Sequence, residues 1–137
     1  MRFGWFALAS LGALTACGSG SDTRGFSVYF QPYSTELDRQ GRETADAAAE
    51  YAKAYPLLPV LVVGHSARAT QGQDADEVSD RRAAAVRQVL IADGVGASRI
   101  VLSAYGHADP HPMPQLAGQR VDITVGQPAA GGVSGGY

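Results

Sequence analysis

Arg82 is the first residue that demands a chemical explanation. Val78, Arg82, Val86 and Leu90 follow one another at intervals of four, so on a helix they share one face and an arginine interrupts an apolar line. A charge there needs a partner or a ligand. In one reading the arginine meets a ligand. In the other its stem packs on the core while its head reaches water or an acid such as Asp80 or Asp74. Three further groups have reactive side chains. Cys17 is the chain's one thiol, which excludes a disulfide within the chain. His65 beside Ser66 invites a hydrolase reading, but no Gly-x-Ser-x-Gly elbow holds the serine, and the histidine reads as structural. His107, Asp109 and His111 alternate as metal ligands can, yet they lie in a proline-rich stretch without a third firm partner. With no phosphate loop or nucleotide fingerprint either, neither an enzyme, a metal nor a cofactor is expected.

Cys17 takes its meaning from what precedes it. Arg2 supplies a positive charge, residues 3–14 are free of charged side chains and mostly apolar, and Thr15 and Ala16 are small. This is the pattern of an export signal, too short to cross a bilayer as a helix. The residues Leu14-Thr15-Ala16-Cys17 resemble the lipobox of bacterial lipoproteins. That resemblance implies cleavage before Cys17, diacylation of its thiol and commonly acylation of the new amine. The alternative is a soluble exported protein with a spare thiol. At about 0.8 kcal/mol per buried methylene, two or three acyl chains form an anchor that does not readily release. Gly18 follows the cysteine, where proteobacterial lipoproteins retained in the inner membrane tend to carry aspartate. In a two-membrane host the resemblance therefore implies the outer membrane.

A signal at residues 1–16 leaves 121 of 137 residues, enough for one domain and too few for two. Ten of the eleven basic residues are arginine, the net charge is −2 and no basic run is present, so nucleic acid is not an expected partner. Residues 17–25 are small, polar and glycine-rich, reading as a lipidated flexible tether, and residues 127–137 read as a glycine-rich disordered tail.

Between them, residues 26–30 alternate as a half-buried strand does. From Asp38, a plausible helix cap, Ala45, Ala48, Ala49 and Ala52 recur at helical spacing until Pro56 stops the run. Residues 58–63, in an apolar run that begins at Leu57, read as a strand buried on both faces. Residues 74–92 read as a second helix with acids in its first turns, and residues 99–104 and 119–125 as two more strands. Strands alternating with helices imply an α/β or α+β domain with a layer of helices on one mixed sheet.

Four segments then fall in order at a known spacing: Val28-Tyr29-Phe30, Gly64-His65-Ser66, Val78 to Val86, and Gly94 through Arg99-Ile100 to Tyr105-Gly106. On these residues the chain resembles the OmpA C-terminal-like family, the peptidoglycan-binding module of envelope proteins, over residues 26–126. The resemblance implies a βαβαβ(β) two-layer sandwich, two helices on a mixed four-stranded sheet. It also implies a ligand, the diaminopimelate of the stem peptide, whose free end carries an ammonium and a carboxylate. In the family an aspartate in Gly-His-Thr-Asp takes the ammonium and a helical arginine takes the carboxylate. Here the arginine position is Arg82, and Ser79, His65, Ser66 and Arg120 complete the candidate set. Ala67 stands where the aspartate would, with Arg68 beside it. Phe30-Gln31 replaces Phe-Asp, Ala75 replaces an asparagine, and Gly118-Gln119-Arg120 replaces Asn-Arg-Arg. A lost charged hydrogen bond costs roughly 1.5 to 3 kcal/mol, or one to two orders of magnitude in affinity. Asp74 or Asp76 can substitute if the loop folds back.

Two functions of different class fit this pattern. Either the module grips peptidoglycan and Cys17 ties the membrane to the wall, or the pocket has decayed and the domain is a structural or protein-interaction part of an envelope assembly.

Overall fold

Residues 22–66, 75–107 and 118–127 are described by the computed structural model. Their elements are β1 (Arg24–Tyr29), α1 (Arg39–Ala54), β2 (Val60–Ser66), α2 (Ala75–Ala92), a 3-10 turn (Ala97–Arg99), β3 (Ile100–His107) and β4 (Arg120–Val125). The sheet order is β1-β4-β2-β3. β4 lies antiparallel between β1 and β2, while β2 and β3 are parallel and so require the α2 crossover. This is the expected α+β architecture, two helices on a mixed four-stranded sheet. Cys17, Ala67, Arg68, Asp74, Asp109, His111, the signal and the tail beyond Gln127 lie outside the described residues.

The Asp38 carboxylate accepts from the Gly41 amide at 2.7 Å, capping the first turn of α1. Ala45, Ala48, Ala49 and Ala52 are wholly buried; as alanines they let the helix lie close to the strands. Ala83, Val86, Val89 and Leu90 face inward from α2. They meet Val28, Val60, Val62, Val121, Ile123 and Val125 from the sheet.

The strands depart from expectation in five ways. β2 is not buried on both faces: Val60, Val62, Gly64 and Ser66 are buried, while Leu61, Val63 and His65 are half-exposed. The reason is that α1 and α2 cover only one side, so the other keeps access to solvent. β2 also starts two residues later than expected, because residues 55–59 form a turn. There the Leu58 amide donates to Tyr55 O, Pro59 has no amide hydrogen, and Leu57 is 96% exposed. β1 begins at Arg24, inside the stretch read as linker, because Arg24 and Gly25 pair with Val125 and Thr124. Phe30 lies just beyond the strand, buried, with its amide donating to Gln119 O at 2.8 Å. His107 closes β3 instead of lying in a loop.

The register gives the domain two poles. Arg24, Val60, Ile100 and Val125 lie level at one end. The described chain enters and leaves there, and α1 and α2 both end there. Tyr29, Arg120 and the Gly64–Ser66 end of β2 form the other pole.

Candidate functional site

Arg82 faces the sheet from the second turn of α2 and is wholly buried. Its head is shut off from water, and among the described residues it meets no acid. Nε donates to Ser34 O at 2.8 Å and Nη2 to Gln31 O at 3.3 Å, and the guanidinium carbon lies 5.2 Å from the centre of the Phe30 ring. The head therefore clamps the turn that leads from β1 to α1. In that turn the Ser34 amide donates to Gln31 O at 3.0 Å, and Tyr33 adopts a left-handed φ of 63°, a costly conformation for a bulky side chain. Burial lowers the pKa of Arg82 from its ordinary value. Its Nη1 is buried and has no hydrogen-bond partner among the described residues. A buried donor in that state costs stability until an acceptor arrives.

Ser79 lies one turn earlier on the same helix, buried, with its hydroxyl donating to Asp76 O at 2.8 Å. Ser66 is buried on the helix-covered side of β2. Gly64 permits the whole arrangement, because a Cβ added there would meet Ser79 O at 2.3 Å and Ala83 Cβ at 3.2 Å. α2 thus rests directly on the β2 backbone.

His65 and Arg120 belong to a different cluster, on the open side of the sheet. Asp122 is its centre. It accepts from His65 Nε2 at 3.1 Å, from Ser27 Oγ at 2.7 Å and from Arg120 Nε at 2.9 and 3.1 Å. Strand alternation places Asp122 beside Ser27 on β1 and Val63 on β2. Of the five residues proposed from sequence, the structure thus groups Arg82, Ser79 and Ser66 beneath the helices and His65 and Arg120 across the sheet. His65 and Ser66 lie on opposite sides of the sheet, so they do not form a Ser–His pair. The groove lined by Leu37, Arg42, Gln88 and Val89 lies further along α2 and includes none of the five.

Burial alone would raise the Asp122 pKa, but hydrogen bonds from His65, Ser27 and Arg120, with the Arg120 charge, outweigh it. The carboxyl is held at about 2, below its usual 3.8. An acid whose folded pKa is depressed contributes stability that is complete above the unfolded value and lost as pH falls through the folded one. Asp122→Asn should therefore melt below the wild type at pH 5 and converge with it near pH 2. The difference at pH 5 is on the order of 1–2 kcal/mol after solvent screening. Melting curves with a gap unchanged down to pH 2 would contradict this assignment.

Sequence reasoning missed Asp122 as the hub, Phe30 as the surface under Arg82, and the Gln31 and Ser34 carbonyls as its acceptors. Only Asp122 left a trace, as a polar residue at an outward position of an alternating strand.

Residues 29–121 match the OmpA family. The chain is 30% identical over 111 residues to the peptidoglycan-associated lipoprotein of Agrobacterium fabrum (strain C58), an alignment covering 74% of this chain and 63% of that one. It is 35% identical over 104 residues to the probable lipoprotein YiaD of Escherichia coli (strain K12), covering 72% and 47%. The chain thus spans less than two thirds of the length of these relatives. The crystal structure of the peptidoglycan-associated lipoprotein from Burkholderia pseudomallei matches with a TM-score of 0.62 at 26% identity, over 73% of this chain and 88% of that one.

Proposed function

The chain belongs to the OmpA family, and from that membership we propose that it is a lipid-anchored envelope protein whose domain binds peptidoglycan. In this reading Cys17 carries lipid in the outer membrane, the domain faces the periplasm, and the diaminopimelate of a stem peptide is held non-covalently near Arg82. The observation that carries the reading is Arg82 itself, a buried cation whose Nη1 has no partner among the described residues. A ligand carboxylate would satisfy that donor, displacing the Gln31 and Ser34 carbonyls or joining them as the turn moves. The two poles add support. The chain enters at the pole opposite the Gly64–Ser66 end of β2, so a lipid at one end and a wall at the other can be held at once. Proteins with related sequences bear the name peptidoglycan-associated lipoprotein.

A second reading rests on Ala67. With alanine at the family's aspartate position the ammonium of diaminopimelate loses its counter-charge, and the domain would serve as a structural or protein-interaction part of an envelope assembly. Sedimentation of the full mature chain with purified sacculi separates the two. The first reading predicts a pelleted fraction that Ala67→Asp enlarges, tightening the apparent Kd roughly tenfold as one charged hydrogen bond of about 1.5 kcal/mol is restored. No pelleting by either protein would leave only the second.

A further inference from the structure

The pole where the described chain begins carries an apolar surface that the proposed ligand site does not use. Tyr51 stacks on Tyr55 with ring centres 4.6 Å apart and tilts against Phe26 at 6.1 Å. The Arg24 guanidinium lies 5.3 Å from the Phe26 ring centre and 5.4 Å from that of Tyr51. Beyond Tyr55, itself 38% exposed, Leu57 stands 96% exposed.

Leu57 is not a loose side chain on a frayed end. The turn that presents it is clamped by Arg99, whose Nη2 donates to Ala52 O and Tyr55 O at 2.9 Å and to Leu58 O at 2.7 Å. The Leu58 amide closes the turn onto Tyr55 O at 3.1 Å. The arginine that caps the end of α1 thus also holds a leucine out into solvent. A single exposed leucine is ordinary on a protein surface; one held on a clamped turn two residues past Tyr55, at the pole that also carries Tyr51 and Arg24, has the composition of a bilayer interface contact.

We infer that this pole docks on the lipid surface, with Leu57 as the inserted side chain and Tyr55 and Tyr51 at headgroup level. The occupant follows from chain length. Tyr51 Oη donates to Asp22 O at 3.0 Å, and only four residues separate Asp22 from Cys17. Five Cα steps span at most about 19 Å, so a lipid on Cys17 keeps this pole against its membrane. Over so short a tether the effective concentration is about millimolar, and a weak interfacial affinity suffices to orient the domain. The inference rests on the lipid anchor proposed above. Docked this way, the Arg82 pole points away from the membrane.

The chain's one tryptophan, Trp5, precedes the expected cleavage point, so Leu57→Trp gives the mature protein a single tryptophan, excited apart from the tyrosines at longer wavelength. The full lipidated chain is reconstituted in phosphatidylethanolamine–phosphatidylglycerol vesicles with and without acyl-chain bromination, and Glu43→Trp on the exposed upper part of α1 serves as the reference. Insertion about 5–10 Å deep predicts a blue-shifted emission and about twofold quenching by brominated lipid for Leu57→Trp, with none for Glu43→Trp. An acylated protein in which Leu57→Trp is unquenched, or both variants are quenched alike, overturns the docking and leaves the anchor intact. A blue shift that grows with protein density without quenching assigns the surface to a second copy and overturns it too. An intact mass showing no acyl group on Cys17 removes the anchor and the docking together.

Discussion

Arg82→Ala should destabilise the domain by about 3–5 kcal/mol, the range for truncating a large buried side chain, and abolish binding to peptidoglycan as well. Losing both together says little about either. Arg82 is wholly buried, holds Gln31 O and Ser34 O, and stacks on Phe30, so alanine leaves a void and removes two donors from the turn. In a domain whose total stability is of order 5–15 kcal/mol, that loss approaches unfolding. Arg82→Met separates the effects. Methionine fills most of the stem's volume and removes a buried charge that no carboxylate among the described residues neutralises, and exchanging a buried ion for a well-packed apolar side chain is often neutral or stabilising. Its expected net cost is only about 0–2 kcal/mol, set by the loosened turn. Urea unfolding should place Arg82→Met near the wild type and Arg82→Ala far below, while neither pellets with sacculi. If Arg82→Met retained binding, the arginine would not be the carboxylate receptor.

Adding a single methyl at Gly64 carries the other large effect. Its Cβ would lie 2.3 Å from Ser79 O and 3.1 Å from Ser79 C, against backbone that cannot swing aside as a flexible side chain does. Interiors packed at crystal density transmit such a clash. α2 would have to lift from β2, carrying Ser79, Arg82 and Ala83 with it. Gly64→Ala is expected to cost about 3 kcal/mol or more, the upper end of the overpacking range. Its thermal midpoint should fall by roughly 10 °C or more for a domain of this size. A midpoint within a few degrees of the wild type would show that α2 stands off the strand.

Some of this was legible in residue order because its cause is local. Asp38 could be read as a cap and the alanines of α1 as a buried stripe, since both depend on neighbours three or four residues away. Arg82 stood out for the same reason. The apolar run from Leu57 misled about the start and burial of β2, because hydropathy does not distinguish a leucine held out on a clamped turn from one inside a strand. The burial of each face depends on where the helices settle. Asp122 was not legible as a hub, because its partners Ser27 and His65 reach it across strands and only the sheet order brings them together. Gly64 belonged to a recognised motif, but its function as a landing for the Ser79 carbonyl depends on α2 packing. The expected partners of Arg82 were side-chain acids, whereas the fold supplied main-chain carbonyls 48 and 51 residues away.

The most direct test of the binding claim is amide chemical-shift mapping of the mature domain titrated with a soluble diaminopimelate-containing stem peptide. The account predicts saturable shifts concentrated at Gln31 to Ser34, Ser79 to Ala83 and the Gly64–Ser66 end of β2, with Tyr51 to Leu58 silent. A spectrum unmoved at millimolar peptide, or shifts centred on the pole that holds Leu57, would contradict it.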